Sequence, residues 1–202
     1  LIVPAGKVPL KYQSTEYDCV PVTFLNAINY LFMRNEIPPE VIQRILQYSL
    51  DTLNKNGEHG KGGTTGLACN FMVQWLSLYC TKNKNFNLEC EYLTGNEVHL
   101  SNNNKLVRCV NEGGVALCSV SSDKTGKMNH YMLCTKVDNN FLYFFDPYFR
   151  QKQFRKPDNT FLEWVRDKWE YNLKVSRQRI DLDKKYSFGP IDNRESCLIR
   201  RI

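Results

Sequence analysis

Cys19 stands where a thiol can do chemistry. It lies in QSTEYDCVPVTFLNAINYLF, directly before a run in which Phe24, Ala27, Ile28 and Leu31 recur at helical spacing and share one face. The spacing predicts a helix over about 19–33 with Cys19 at or just before its start. Unpaired backbone N–H groups at a helix N-terminus favour a thiolate. Gln13 precedes the cysteine by six residues, His130 lies far downstream in NHYMLCTKV, and Asp146 closes the apolar run FLYFFDP. A thiol at a helix start, a nearby amide, a distant imidazole and a later carboxylate are the parts of a cysteine hydrolase. In that chemistry Cys19 attacks an acyl carbon. His130 holds the thiol proton and later protonates the leaving amine, and Asp146 sets the imidazole tautomer. The Cys19 N–H and the Gln13 side chain are the donors for the oxyanion.

Those residues must be brought together by the elements between them. Pro38 and Pro39 open a second predicted helix, with Val41, Ile42, Ile45 and Leu46 as its buried side. NKNGEHGKGGTTG follows as a glycine-rich loop. Thr64 or Thr65 then caps a third helix whose apolar stripe is read as Leu67, Phe71, Trp75 and Leu78. The back half changes period. Val115–Val120, Tyr131–Val137 and Phe141–Phe145 read as strands, the last two joined by an Asp138-Asn139-Asn140 turn. The open ends of such a hairpin are neighbours, so His130 and Asp146 meet despite their separation. Thr160 and Glu163 resemble a capping box that starts a helix through Trp164, Val165, Lys168 and Trp169, and the closing CLIRRI reads as an edge strand. Helices followed by an antiparallel sheet predict one α+β domain over 1–202. Its helical front half packs on the sheet, its catalytic core covers about 10–150, and a C-terminal helix–strand extension follows.

The constellation resembles the papain-like cysteine peptidases, and among them the bacterial double-glycine peptidases that trim leaders from bacteriocin precursors. QSTEYDCVPVTFL from Gln13, NHY around His130 and FDP around Asp146 carry the likeness, over about residues 10–150. The resemblance implies a papain-like fold, with Cys19 as nucleophile, His130 as base, Asp146 as its orienting partner and Gln13 as oxyanion donor. Where the family often has glycine after the cysteine this chain has Val20, whose bulk narrows the groove or favours another acyl donor. No transporter segment follows, so the likeness is to the stand-alone form, for which amidase and acyl-transfer chemistry are alternatives. A third alternative is an inactive module that binds peptides.

The remaining features narrow the class. Net charge is +6, 24% of residues are charged and 42% are hydrophobic, which suits a packed domain of 202 residues. The basic residues are scattered and no stripe marks a nucleic-acid partner. The eight cysteines lack a compact disulfide or zinc spacing, so they read as free thiols in a reducing cytoplasm, with neither metal nor other cofactor expected. No apolar run of 18 residues or more marks a transmembrane helix. The glycine-rich loop lacks the strand and the GxxxxGK[ST] order of a phosphate-binding loop. It reads instead as a substrate-contacting loop in which Gly62, Gly63 and His59 reach the groove beside Val20, and Lys61 is the residue that could attract an anion there. The expected partner is a peptide or a small amide or acyl substrate. Nothing in the pattern speaks to oligomeric state.

Overall fold

The computed structural model describes residues 2–101, 103–122, 129–182 and 184–202. Helices α1 (Cys19–Leu31), α2 (Pro39–Tyr48) and α3 (Gly66–Lys82) come first. They are followed by β1 (Leu88–Thr94), α4 (Lys105–Asn111), β2 (Val115–Ser121), β3 (Asn129–Val137) and β4 (Phe141–Phe145). The chain continues through β5 (Leu162–Trp164), β6 (Leu173–Ser176), the short α5 (Arg177–Ile180) and β7 (Glu195–Arg201). The seven strands form one antiparallel sheet in the order β1-β7-β2-β3-β4-β6-β5. The architecture is therefore mixed α+β, with an open antiparallel sheet and helices on it.

Alternation along the central strands creates two cores. Val115 and Leu117 of β2, Tyr131 and Leu133 of β3, and Cys197 and Ile199 of β7 pack with the buried sides of α1, α2 and α3. Ala116, Cys118, Val120, Met132, Cys134 and Leu198 point the other way, onto Leu106, Val107 and Val110 of α4 and onto Trp164, Tyr186 and Phe188. Strands covered on both faces carry apolar residues at nearly every position, which is why all seven residues of β2 are buried. The helices start as their sequences direct. Pro39 supplies a preset φ in the first turn of α2, and the Thr65 hydroxyl accepts the Ala68 N–H at the start of α3. At the β3–β4 turn, the Asp138 carboxylate accepts the N–H groups of Asn140 and Phe141, each at 2.8 Å.

Four expectations need correction. First, α3 turns a different face inward. Cys69, Met72, Val73, Leu76 and Cys80 are buried, whereas Leu67, Phe71 and Leu78 are exposed. This helix is apolar around most of its circumference, so its periodicity offers two stripes. The smaller side chains fit the sheet, and Phe71 and Trp75 pack against Tyr48 instead, at ring-centroid distances of 4.8 and 6.4 Å. Second, Leu46 in α2 is exposed, while Val41 and Ile45 are buried. Third, residues 160–169 do not form a helix. A 3₁₀ turn over Asp158–Thr160 leads into β5, which pairs with β6 through Leu162↔Val175 and Trp164↔Leu173. Strand pairing with two buried residues outweighs the local capping pattern. Fourth, CLIRRI is not an edge strand: β7 lies between β1 and β2, and the edges are β1 and β5.

Candidate active site

Cys19 is the first residue of α1 and is partly buried. One turn further on, the buried Thr23 donates its hydroxyl to the Tyr131 carbonyl at 3.1 Å, fixing the helix start against the start of β3. The buried Asn26 side chain both donates to the Lys11 carbonyl and accepts the Lys11 N–H, at 2.9 and 2.8 Å, which ties the N-terminal segment to α1. These three bonds fix where Gln13, Cys19 and β3 stand relative to one another. Neither Thr23 nor Asn26 carries a sequence signal beyond being a polar residue on the apolar face of a helix.

The hairpin supplies the other two groups. β3 and β4 pair through Leu133↔Phe145, and one more step sets Asp146 against Met132. Asp146 and His130 then project from the same face as diagonal neighbours. His130 Nε2 lies 2.6 Å from Asp146 Oδ1, with the His130 side chain 13% exposed and Asp146 fully buried. Oδ1 also accepts the Tyr148 N–H at 2.9 Å, closing a turn over Asp146-Pro147-Tyr148. Burial works against a charged imidazole. The Asp146 charge and its hydrogen bond oppose that effect, as does the influence of the Cys19 side chain, and together they push His130 up to about 10. His130 is thus held by Asp146 and lines one cavity with Cys19.

Asn172, just before β6, clamps the Asp146 backbone. Its side chain accepts the Asp146 N–H at 2.7 Å and donates to the Asp146 carbonyl at 2.8 Å, and it is itself buried. The pairing spans 26 residues and no spacing rule announces it. Asn172→Ala is expected to strand both backbone groups and lower stability by about 2–4 kcal/mol, read from urea unfolding midpoints. An unchanged midpoint would show that Asn172 is dispensable for holding Asp146.

Gln13 is brought to the same place. Its backbone N–H donates to the Pro147 carbonyl at 2.8 Å, and it lines a cavity together with Cys19 and His130. Its side-chain nitrogen donates one bond to the Thr15 carbonyl at 2.8 Å, and its side-chain oxygen is buried with no partner among the described residues. Asp18 sits at the N-cap position of α1 without capping the helix. Its carboxylate accepts the N–H groups of Ser14 and Thr15 at 3.1 and 3.0 Å, folding that loop over the helix start.

A second cavity opens on the other side of Cys19. Val20, Gly62, Gly63 and Tyr131 line it with Cys19. Val20 is only 1% exposed, so most of its bulk is in the core rather than in the groove. The glycine-rich segment is tied down, with Gly60 N–H on the Thr52 carbonyl and the Thr52 hydroxyl on the Gly63 carbonyl, both at 2.9 Å. A Cβ on Gly62 would meet the Thr52 hydroxyl and, at 2.6 Å, the Leu53 carbonyl oxygen, while Gly63 has φ +91°. Only glycine suits either position. His59 is not at the site. It is exposed, in an isolated bridge with Leu53, and lines neither cavity beside Cys19. Lys61 lines the second cavity but pairs with Glu58 at 2.7 Å.

All eight cysteines are unpaired. Burial pushes the thiols of Cys80, Cys90, Cys118, Cys134 and Cys197 upward, and Cys109 up to about 11. Those six thiols are therefore held protonated. Among the described residues, no helix is long and apolar enough to cross a membrane. No family model and no curated protein matches the chain.

Proposed function

We propose that this chain is a cysteine-dependent peptidase or amide hydrolase that works through a thioester on Cys19. The observation that carries the reading is that Cys19 and His130 line one cavity, with His130 Nε2 on the buried Asp146 carboxylate at 2.6 Å. That bond commits Nε2 to Asp146 and leaves Nδ1 for the thiol. The Cys19 thiolate attacks the carbonyl carbon, and the oxyanion takes the Cys19 N–H and the second N–H of the Gln13 amide. Collapse breaks the C–N bond while His130 passes its proton to the leaving amine. Water then attacks the thioester, giving its proton to His130, and the C–S bond breaks to release a carboxylic acid and regenerate the thiol. The papain-like fold, the likeness to stand-alone double-glycine peptidases and a reducing cytoplasmic setting belong to the same proposal. No nucleic acid takes part.

Acyl transfer is the second reading, favoured by the cavities on both sides of Cys19. One side can hold the acyl group while the other admits an amine in place of water. Both readings share the thioester, so the test is direct. Peptides and acyl amides are screened, reactions are quenched in acid, and intact-mass spectrometry looks for an acyl adduct mapped to Cys19. The adduct is expected with the parent protein and not with Cys19→Ala. Added amines that divert the adduct into new amides indicate transfer, and an adduct that only hydrolyses indicates a hydrolase. Turnover without any dependence on Cys19 would overturn both readings.

A further inference from the structure

We infer that the cavity on the His130 side of Cys19 holds a carboxylate of the substrate, bound between Arg150 and Lys185. The inference rests on the thiol-hydrolase reading for the position of the acyl carbon, and it narrows the substrate to an acidic peptide or amide.

Arg150 and Lys185 line this cavity together with Cys19, His130, Tyr148 and Tyr186. Two connections bring them there. Arg150 follows the Asp146-Pro147 turn by three residues. Lys185 is carried by the segment that β2 pins, where the Tyr186 N–H donates to the Ser121 carbonyl and the Ser121 N–H to the Ser187 carbonyl, each at 2.8 Å. The Lys185 carbonyl also accepts from Arg179 Nε at 3.0 Å, which steadies the lysine backbone.

The guanidinium of Arg150 is held in place rather than left to sweep through solvent. It lies 4.2 Å from the Phe154 ring centroid and 5.7 Å from that of Tyr186, and it donates to the Tyr186 hydroxyl at 2.6 Å. Burial, reinforced by the Asp146 charge, pushes Tyr186 up to about 12, so the phenol stays neutral and accepts that bond. A guanidinium has five N–H donors. Among the described residues only this one hydrogen bond uses them, and the buried Nε has no partner. Neither Arg150 nor Lys185 has a carboxylate within ion-pair distance among the described residues. Glu16 lines the same cavity but is exposed and forms no ion pair with either cation. Asp146 is engaged with His130. Two cations, one held against two rings with donors unspent, therefore face a cavity that opens on the nucleophile. In an amide or peptide the anionic group that fits them is a carboxylate, from an acidic side chain or a free terminus.

The experiment uses the full chain and a ladder of N-bromoacetyl amino acids of increasing length, each paired with its neutral carboxamide. Cys19 sulfur displaces bromide from either member of a pair, so the ratio of their labelling rates isolates the carboxylate. Site-resolved mass spectrometry reads Cys19, with Cys90 and Cys109 as internal comparators. At one chain length the carboxylate reagent is expected to label Cys19 about tenfold faster than its carboxamide. Cys90 and Cys109 should show no such preference. The matching length separates a terminal carboxylate, which needs a short reach, from a side-chain carboxylate, which needs a longer one. Arg150→Gln should bring the ratio near one, and the ratio cancels any change in Cys19 reactivity that both reagents share. Lys185→Gln should lower it without disturbing the Arg150 clamp. A ratio near one at every length in the parent, or a preference that survives both substitutions, would overturn the inference while leaving the Cys19–His130 chemistry standing. Carboxamide labelling of Cys19 with no dependence on His130 would instead tell against the hydrolase reading on which it rests.

Discussion

Cys19→Ala is expected to abolish turnover of whatever amide the parent accepts, a loss of about 10⁴–10⁶-fold, while the protein keeps its cooperative unfolding transition. The thiol sits at the start of α1 and faces two open cavities, and its neighbours in the core are held by Phe24, Ala27 and Ile28 further along the helix. Removing one sulfur there is expected to change stability by no more than about 1 kcal/mol. His130→Ala is expected to lose a similar factor, because the two residues act as a unit and their effects do not add. The check is steady-state turnover beside thermal unfolding for each variant. If Cys19→Ala lost cooperative unfolding, the cysteine would be a structural thiol.

Asp146→Asn is expected to lower turnover by about 10²–10⁴-fold and to change how stability depends on pH. In the parent, His130 is raised from its ordinary value near 6.5 to about 10 in the folded chain. Over that window the folded protein holds a proton that the unfolded chain has released, so stability falls as pH rises. The contribution is fully present below about pH 6.5 and is gone once pH has passed about 10. Asparagine at 146 removes the charge that opposes burial of the imidazolium, so this downward slope should largely disappear. Urea unfolding across pH 6–10 measures it in both proteins. Parallel pH profiles would remove the His130–Asp146 pair as the source, and equal turnover would remove Asp146 from the mechanism.

The parts of the fold that could be read in advance are those whose pattern is local. β3 and β4 are two short apolar runs joined by Asp138-Asn139-Asn140, so their pairing, and with it the meeting of His130 and Asp146, follows from hairpin geometry. The start of α1 at Cys19 follows from its apolar spacing in the same way. What stayed hidden depends on partners distant in sequence. The face of α3 was ambiguous because Leu67, Phe71 and Leu78 compete with Cys69, Val73 and Leu76, and only the sheet beneath decides between them. β1 is half-exposed and breaks alternation, and β7 gains its central place from pairing with both β1 and β2. At the site, Asn172, Thr23 and Arg150 act through contacts set by tertiary structure. His59 lay in a promising loop, but its backbone pairs with Leu53 away from both cavities.

The central claim is that His130 activates Cys19. Site-resolved alkylation by iodoacetamide at about pH 6 tests it directly, comparing the parent with His130→Ala. At that pH, thiols such as Cys109, pushed up to about 11, are almost wholly protonated and serve as comparators in the same sample. Cys19 is expected to label at least about tenfold faster than any of them in the parent, and to lose that lead in His130→Ala. A Cys19 rate that is the same in both proteins would contradict the account.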